Sequence, residues 1–244
     1  MAKNNYKRVL LKISGEALSS LKGDDSQSQG LCKEMLEKIA QDICQVHDWG
    51  VQIAIVIGGG NFFRGVKGVT DHRLDRAVSD QIGMLATVMN GLALRSAIED
   101  EGVPCRLMTS VPMSSVSEFF VREKAIRHLE KNRVVIFAAG TGNPFFTTDT
   151  CAALRAAETK CQLMLKATMV NGLYDDDPKS NPNAQFIPYT NYSEVIEKGY
   201  KVMDATALTL ARENNLPLRI FSIYPQNSFA DVIKSVGHFT HIDV

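Results

Sequence analysis

Apolar runs in this chain repeatedly end in loops of glycine and small polar residues, and a helical pattern follows each loop. Val51 to Ile57 is nearly all apolar and runs straight into Gly58-Gly59-Gly60-Asn61. Val9-Leu10-Leu11 ends at Lys12-Ile13-Ser14-Gly15-Glu16, and Val134 to Ala139 ends at Gly140-Thr141-Gly142-Asn143-Pro144. Continuous apolar strands belong to a parallel sheet covered on both faces. Their alternation with helices predicts βαβ units, right-handed crossovers and ligands at the carboxyl ends of the strands.

The helical patterns are Met35, Ile39, Ile43 and Val46, closed by Gly50; Ala125 with Leu129; Thr148 to Thr159; Val195 to Lys198; Ala205 to Asn214; and Asn227 to Lys234. The longest is Leu74, Val78, Ile82, Leu85, Met89 and Leu92, which draws one apolar stripe. Further strands are expected at Cys105 to Met108, Leu163 to Ala167 and Leu218 to Phe221. Ser20 to Gly30, rich in Ser, Gln and Asp, reads as a mobile loop. There is no internal repeat, and a soft division falls near Gly140. The fold class is α/β: helices on both faces of a mostly parallel sheet.

Length and charge narrow the function. A chain of 244 residues is ample for a sizeable core. Lys+Arg and Asp+Glu are both 27, so no basic surplus supports a nucleic-acid partner. An anion site must therefore come from placed charges and backbone amides. Five cysteines without Cys-x-x-Cys spacing argue against a zinc site or disulfide framework and for a reducing compartment. No apolar run reaches the ~18 residues of a membrane span, so the cytoplasm is expected. The five histidines have no metal-ligand spacing.

The loops carry the chemistry. Glycines at Gly58 to Gly60 let a backbone approach phosphate, or simply make a tight turn, and Arg64 supplies a guanidinium that can fork onto phosphate oxygens. The spacing fits neither a P-loop nor Gly-x-Gly-x-x-Gly. Lys12 offers a point charge beside Ser14 and Gly15, although a lone lysine after a strand is more often solvated. In Gly140 to Asp149, Thr147 or Thr148 can cap a helix, and Phe145 and Phe146 form an apolar wall for a base or for the core. Lys166 ends an apolar strand and must lie at the rim or face an anion. Asp149 could orient two lysines, sit near magnesium, or serve only as a first-turn carboxylate. Asn171-Gly172 looks like a type I′ hairpin turn, and Asp175-Asp176-Asp177-Pro178 like a solvated turn. Asp80, off the apolar stripe, reads as solvent-facing.

Taken together, Lys-Ile-Ser-Gly-Glu, Gly-Gly-Gly-Asn-x-x-Arg-Gly, Gly-Thr-Gly-Asn-Pro-Phe-Phe-Thr-Thr-Asp and Lys-Ala-Thr resemble the amino acid kinase superfamily and, within it, the bacterial UMP kinases. Ser79 to Leu92 and Lys201-Val202-Met203-Asp204 are similar too, so the resemblance runs from about Lys7 to Phe221. It implies a single three-layer domain over 1–244, with the acceptor-binding part mainly in 1–150 and the ATP-binding part mainly in 151–244. It implies a homohexamer and transfer of the γ-phosphoryl of ATP to UMP, giving UDP and ADP for pyrimidine nucleotide synthesis, with Mg²⁺ carried mainly by the nucleotide phosphates. ATP would meet Lys12, Ile13, Ser14, Gly15, Gly60, Arg64, Thr168, Tyr174 and Asp177. UMP would meet Gly59, Asp80, Thr141, Gly142, Asn143, Pro144, Phe145, Phe146, Thr147 and Thr148. Lys12 and Lys166 would flank the transferring group, oriented by Asp149.

Two stretches depart from that family. Leu21 to Gly30 does not match the segment associated with GTP activation, and Asn171 stands where Asp is usual. A related kinase with another acceptor should lack Phe-Phe-Thr-Thr-Asp. A storage or regulatory protein on the same fold should lose the charged set Lys12, Asp149 and Lys166.

Overall fold

The computed structural model describes residues 6–19, 30–63, 74–176, 178 and 180–244. In chain order the elements are β1 (Arg8–Ile13), a 3-10 turn (Gly15–Leu18), α1 (Lys33–His47), β2 (Gln52–Ile57), α2 (Arg76–Asp100), β3 (Cys105–Thr109), β4 (Glu118–Phe119) and α3 (Arg122–Glu130). There follow β5 (Val134–Ala138), α4 (Thr148–Glu158), β6 (Leu163–Thr168), β7 (Leu173–Tyr174), β8 (Phe186–Ile187), β9 (Tyr189–Asn191) and α5 (Tyr192–Glu197). The chain closes with α6 (Ala205–Glu213), β10 (Leu218–Ser222), α7 (Ser228–Ile233) and β11 (Phe239–Asp243).

The sheet is nine-stranded, in the order β4-β3-β5-β2-β1-β6-β10-β11-β9. From β4 to β10 every neighbouring pair is parallel; β11 is antiparallel to β10, and β9 is parallel to β11. β7 and β8 form a separate antiparallel pair.

Alternation along the strands sorts side chains into two cores, because successive residues face opposite sides of a sheet. Val9, Leu11, Ile13, Ile53, Ile55, Ile57, Leu163 and Leu165 pack with α1, α2 and α7. Leu10, Ala54, Val56 and Met164 pack with α3, α4, α5 and α6. Helices therefore cover both faces, as the alternation predicts. The parity also fixes the lysines. Lys12 follows Leu10 by two residues and Lys166 follows Met164 by two, so both face the α4 side.

Three expectations fail. Val78, Leu85 and Met89 of the predicted stripe are 43%, 51% and 50% exposed, and the buried face of α2 instead carries Ser79, Ala86, Thr87, Val88, Asn90, Gly91, Leu94 and Ile98. Asp80 is half-buried rather than solvent-facing. Asn171-Gly172 is not a type I′ turn: Asn171 has no positive φ, and the flanking β6 and β7 lie in different sheets. β11 was not expected; its alternating, polar-rich sequence lacks the apolar run that marks a central strand. The loop expected at Ser20 to Gly30 lies, except for Gly30, outside the described residues.

Candidate active site

The site begins with register. β1 and β6 are parallel neighbours, and Lys12 pairs with Lys166 directly across the ladder. Adjacent strands lie about 4.8 Å apart, so two like charges on one face need a counter-ion. Asp149, in the first turn of α4, supplies it. Lys12 Nζ lies 2.8 Å from Asp149 Oδ1, and Lys166 Nζ lies 2.6 Å from Oδ2. Cys151, Ala152, Ala153 and Ala156 are all buried on the inner face of α4. Such small side chains let the helix lie close enough to the sheet for a short aspartate to reach both lysines.

Burial pushes the Asp149 pKa up, but the two ammonium groups outweigh it and hold the carboxyl below its ordinary value. Burial and then the Lys12 charge push Lys166 below the usual lysine range, against the opposing pull of Asp149 and Asp204. Lys166 also donates to the carbonyl of Val202.

On one side of this charged bridge lies a small cleft of about 140 Å³, lined by Gly59, Asp80, Thr87, Thr141, Phe146 and Thr148 among others. Its wall is the segment 139–149. Ala139, Gly140, Gly142 and Phe145 there have φ values of 60°, 54°, 82° and 71°. Left-handed backbone at a non-glycine residue is uncommon and persists when surrounding structure imposes it. The polar residues of α2 impose it here. Thr87 Oγ1 accepts from Ala139 N at 2.7 Å, and Asp80 Oδ2 accepts from Phe145 N at 2.8 Å. Asn90 Nδ2 donates to Gly58 O at 2.6 Å and to Asn61 Oδ1 at 2.7 Å. α2 thus grips two glycine loops at once, which explains its polar inner face. Gly15 and Gly60 interlock: a Cβ on Gly15 would stand 2.5 Å from Gly60 N.

On the other side lies a cleft of about 450 Å³, lined by Thr168, Val170, Tyr174, Asp175, Lys201 and Val202 among others. Tyr174 meets Phe186 edge-on, with ring centroids 5.5 Å apart. The amino acid kinase family's sequence profile matches residues 7–222. The chain belongs to the amino acid kinase family.

Its relatives within the family agree with one another. It is 51% identical over 237 residues to a uridylate kinase of Rickettsia prowazekii, covering 97% of this chain and 96% of that one. It superposes on the crystal structure of UMP kinase from Ureaplasma parvum with a TM-score of 0.91 at 36% identity, covering 98% and 99% of the two chains. The UMP kinase from Bacillus anthracis gives 0.91 at 37%, covering 98% and 96%.

Of the residues picked out from the sequence, Lys12, Asp149 and Lys166 come together as one ionic cluster. Gly59, Asp80, Thr141, Asn143, Phe146, Thr147 and Thr148 line the small cleft. Gly142, Pro144 and Phe145 belong to the same loop but not to that lining, and Phe145 is 68% exposed. Thr147 is the residue that caps α4, accepting from Asp149 N at 3.0 Å and Thr150 N at 3.3 Å. Thr168 and Tyr174 line the larger cleft, whereas Lys12, Ile13, Ser14, Gly15 and Gly60 lie at strand ends outside its lining. Arg64 and Asp177 lie outside the described residues.

Sequence reasoning placed Thr87, Asn90 and Asp204 in segments that carry the resemblance but gave them no role. The signal for the first two was available. Asp80, Gly83, Thr87, Asn90 and Leu94 recur at helical spacing, a small and polar stripe beside the apolar one.

Proposed function

We propose that this chain is a UMP kinase, transferring the γ-phosphoryl of ATP to UMP to give UDP and ADP. The observation that carries the reading is the Lys12–Asp149–Lys166 bridge, set between two clefts of different character. UMP would occupy the small cleft, against Gly59, Asp80 and Thr141 to Thr148. At about 140 Å³ it is below the ~300 Å³ common for a small-molecule site, so the nucleotide would extend over the exposed Phe145–Phe146 rim. ATP would lie with its base by Thr168 and Tyr174 and its phosphates toward Lys12 to Gly15 and Gly60. Arg64 and Asp177 keep their assignment to ATP from the resemblance.

The nucleophile is a phosphate oxygen of UMP. Its bond to the γ-phosphorus forms as the bond to the β,γ-bridging oxygen breaks, and ADP leaves with that electron pair. The attacking oxygen is already anionic, so no base is needed; catalysis is positioning plus charge neutralisation. Lys12 and Lys166 neutralise the charge on the equatorial oxygens, and Asp149 keeps both ammonium groups aimed at one point.

The described residues do not fit a resident metal ion. No three His, Cys, Asp or Glu side chains among them converge, and both oxygens of Asp149 face lysines. Mg²⁺ would arrive with ATP, neutralising β- and γ-phosphate charge.

The organisation proposed with this reading is a single domain, its acceptor part mainly in 1–150 and its ATP part mainly in 151–244. The linings favour that division, one within 59–148 and the other within 168–220. A homohexamer in the cytoplasm, feeding pyrimidine nucleotide synthesis, completes it. The exposed apolar residues Val78, Leu85 and Met89 on α2 suit burial between copies, and the five free thiols suit a reducing compartment. No helix among the described residues is long and apolar enough to cross a membrane.

The deciding test is coupled ADP release with ATP and Mg²⁺ against UMP, CMP, dTMP, acetylglutamate and aspartate. Release with UMP alone is expected. Release with another acceptor would overturn the assignment of the 141–148 loop, and nucleotide binding without release would overturn catalysis.

A further inference from the structure

The segment Lys201-Val202-Met203-Asp204 is given no role in the proposed reaction, yet it lies between the two clefts. Lys201 and Val202 line the larger one, and Thr147 lines the smaller. Val202 O accepts from Lys166 Nζ. Two residues on, Asp204 caps α6 and accepts from Ala207 N at 2.9 Å. The same carboxylate accepts from Thr150 Oγ1 at 2.8 Å, and its other oxygen accepts from Thr147 Oγ1.

A helix cap needs one acceptor oxygen. Asp204 engages three donors, and two of them are the cap Thr147 and the first-turn Thr150 of α4, the helix that carries Asp149. We infer that Asp204 is a positioning residue: through Thr147 and Thr150 it ties the acceptor wall and α4 to the short segment that holds Lys166, and so fixes the distance between the accepting phosphate and the transferring lysine. This inference rests on the kinase reading. Asp204 itself touches no reacting atom.

The hydrogen-bond chemistry calls for a carboxylate. Thr147 Oγ1 already accepts two backbone N–H groups, so toward residue 204 it has only a proton to give. An asparagine would turn its NH₂ either on Thr147 or on Ala207 N–H, and both are donors. The charge matters as well. Lys166 faces Lys12 from β1, Asp149 from α4 and Asp204 ahead of α6, and Asp204 is one of the two carboxylates that oppose the loss of its proton.

Two variants test the idea. Asp204→Ser keeps a capping oxygen for Ala207 N but is too short for the threonines. Thr150→Val is nearly isosteric and removes one donor without touching the cap of α6. Each is read by Tm, by kcat and KM for UMP, and by the ¹³Cε titration of Lys166 in ¹³C-lysine protein, assigned with Lys166→Ala.

For Asp204→Ser the expected result is a Tm close to wild type, kcat down roughly ten- to a hundred-fold as from a small misplacement, and a Lys166 midpoint at lower pH. Thr150→Val should lower kcat less, with the Lys166 midpoint in place. A Thr150→Val protein at wild-type kcat overturns the inference, including when Asp204→Ser does not fold. So does an Asp204→Ser protein whose Lys166 midpoint is unmoved. The titration needs no substrate, so it stands apart from the kinase reading: wild-type protein inert toward UMP would overturn that reading alone.

Discussion

The two walls that flank the charged bridge are both strand-end loops, and they are built in opposite ways. The 139–149 wall is held by the body of the fold. Side chains of α2 accept its backbone N–H groups, Ser110 Oγ donates to Gly140 O at 2.7 Å, and four residues sit in left-handed backbone. The 168–176 wall is held by the far strands of the sheet and by a separate two-stranded pair. Leu173 N donates to Thr240 Oγ1 at 2.8 Å, Asp175 N pairs with Gln185 O at 3.1 Å, and β7 has β8 as its strand partner. One wall is set by a long central helix; the other depends on a two-stranded flap and the last strand of the chain. Under the kinase reading, acceptor geometry is the rigid half of the site, and the nucleotide side is the half that tolerates change.

The largest effect should come from the bridge that both walls share. Lys166→Ala should lower kcat by ~10²-fold or more if the ammonium acts as a placed transition-state donor. A normal turnover number in stopped-flow or coupled assays would remove Lys166 from the mechanism and leave the two walls unconnected.

Asp149→Asn leaves two facing ammonium groups without their counter-ion. Urea unfolding should show a loss of about 3 kcal/mol, the scale of breaking a buried ion pair. The acid side sharpens this. A carboxylate whose pKa falls on folding stabilises the fold above its unfolded value near ~3.9 and gives that stability up as pH drops through its lower folded value. Asp149→Asn should flatten that part of the stability–pH curve, and an unchanged acid limb would assign it to other carboxylates.

A matched pair then tests the contrast between the walls. Thr87→Val leaves the buried Ala139 N–H unpaired, at about 1–3 kcal/mol, and should raise KM for UMP more than KM for ATP. Thr240→Val does the same to Leu173 N–H and should raise KM for ATP more than KM for UMP. Equal shifts of both constants in both variants would mean that the walls act as one unit.

The smallest effect is expected at the rim. Phe145→Ala removes an exposed ring and should change stability by within about 0.5 kcal/mol, with only a modest rise in KM for UMP. A large loss of stability would show that the ring supports its own left-handed backbone.

Much of this was legible before folding. The helix of Met35, Ile39, Ile43 and Val46 is buried at those four positions, and the apolar runs became the central strands. A cap at Thr147 or Thr148 was legible because capping is a local contact between a hydroxyl and the next turn, and the structure selects Thr147. α2 misled because two stripes run along it, and hydrophobicity points to the wrong one. Loops at the strand ends offer unpaired backbone groups, so polar Asp80, Thr87 and Asn90 turn inward and Val78, Leu85 and Met89 turn out. The type I′ reading at Asn171-Gly172 failed because it assumed that neighbouring strands in sequence are partners in space.

The sequence by itself determined the α/β class, the loops that end the strands and the residue types of the charged set; alternation by two put Lys12 on the face of Leu10 and Lys166 on that of Met164, and packing made those one face. Tertiary structure alone decided that these lysines pair in register, that Asp149 reaches both, that α2 presents its polar side inward, and that β11 reverses beside β10. Periodicity is a local property and fixes which way a side chain points. Register, strand order and the partner across a gap are contacts between residues far apart in the chain, and they are settled by how the layers pack.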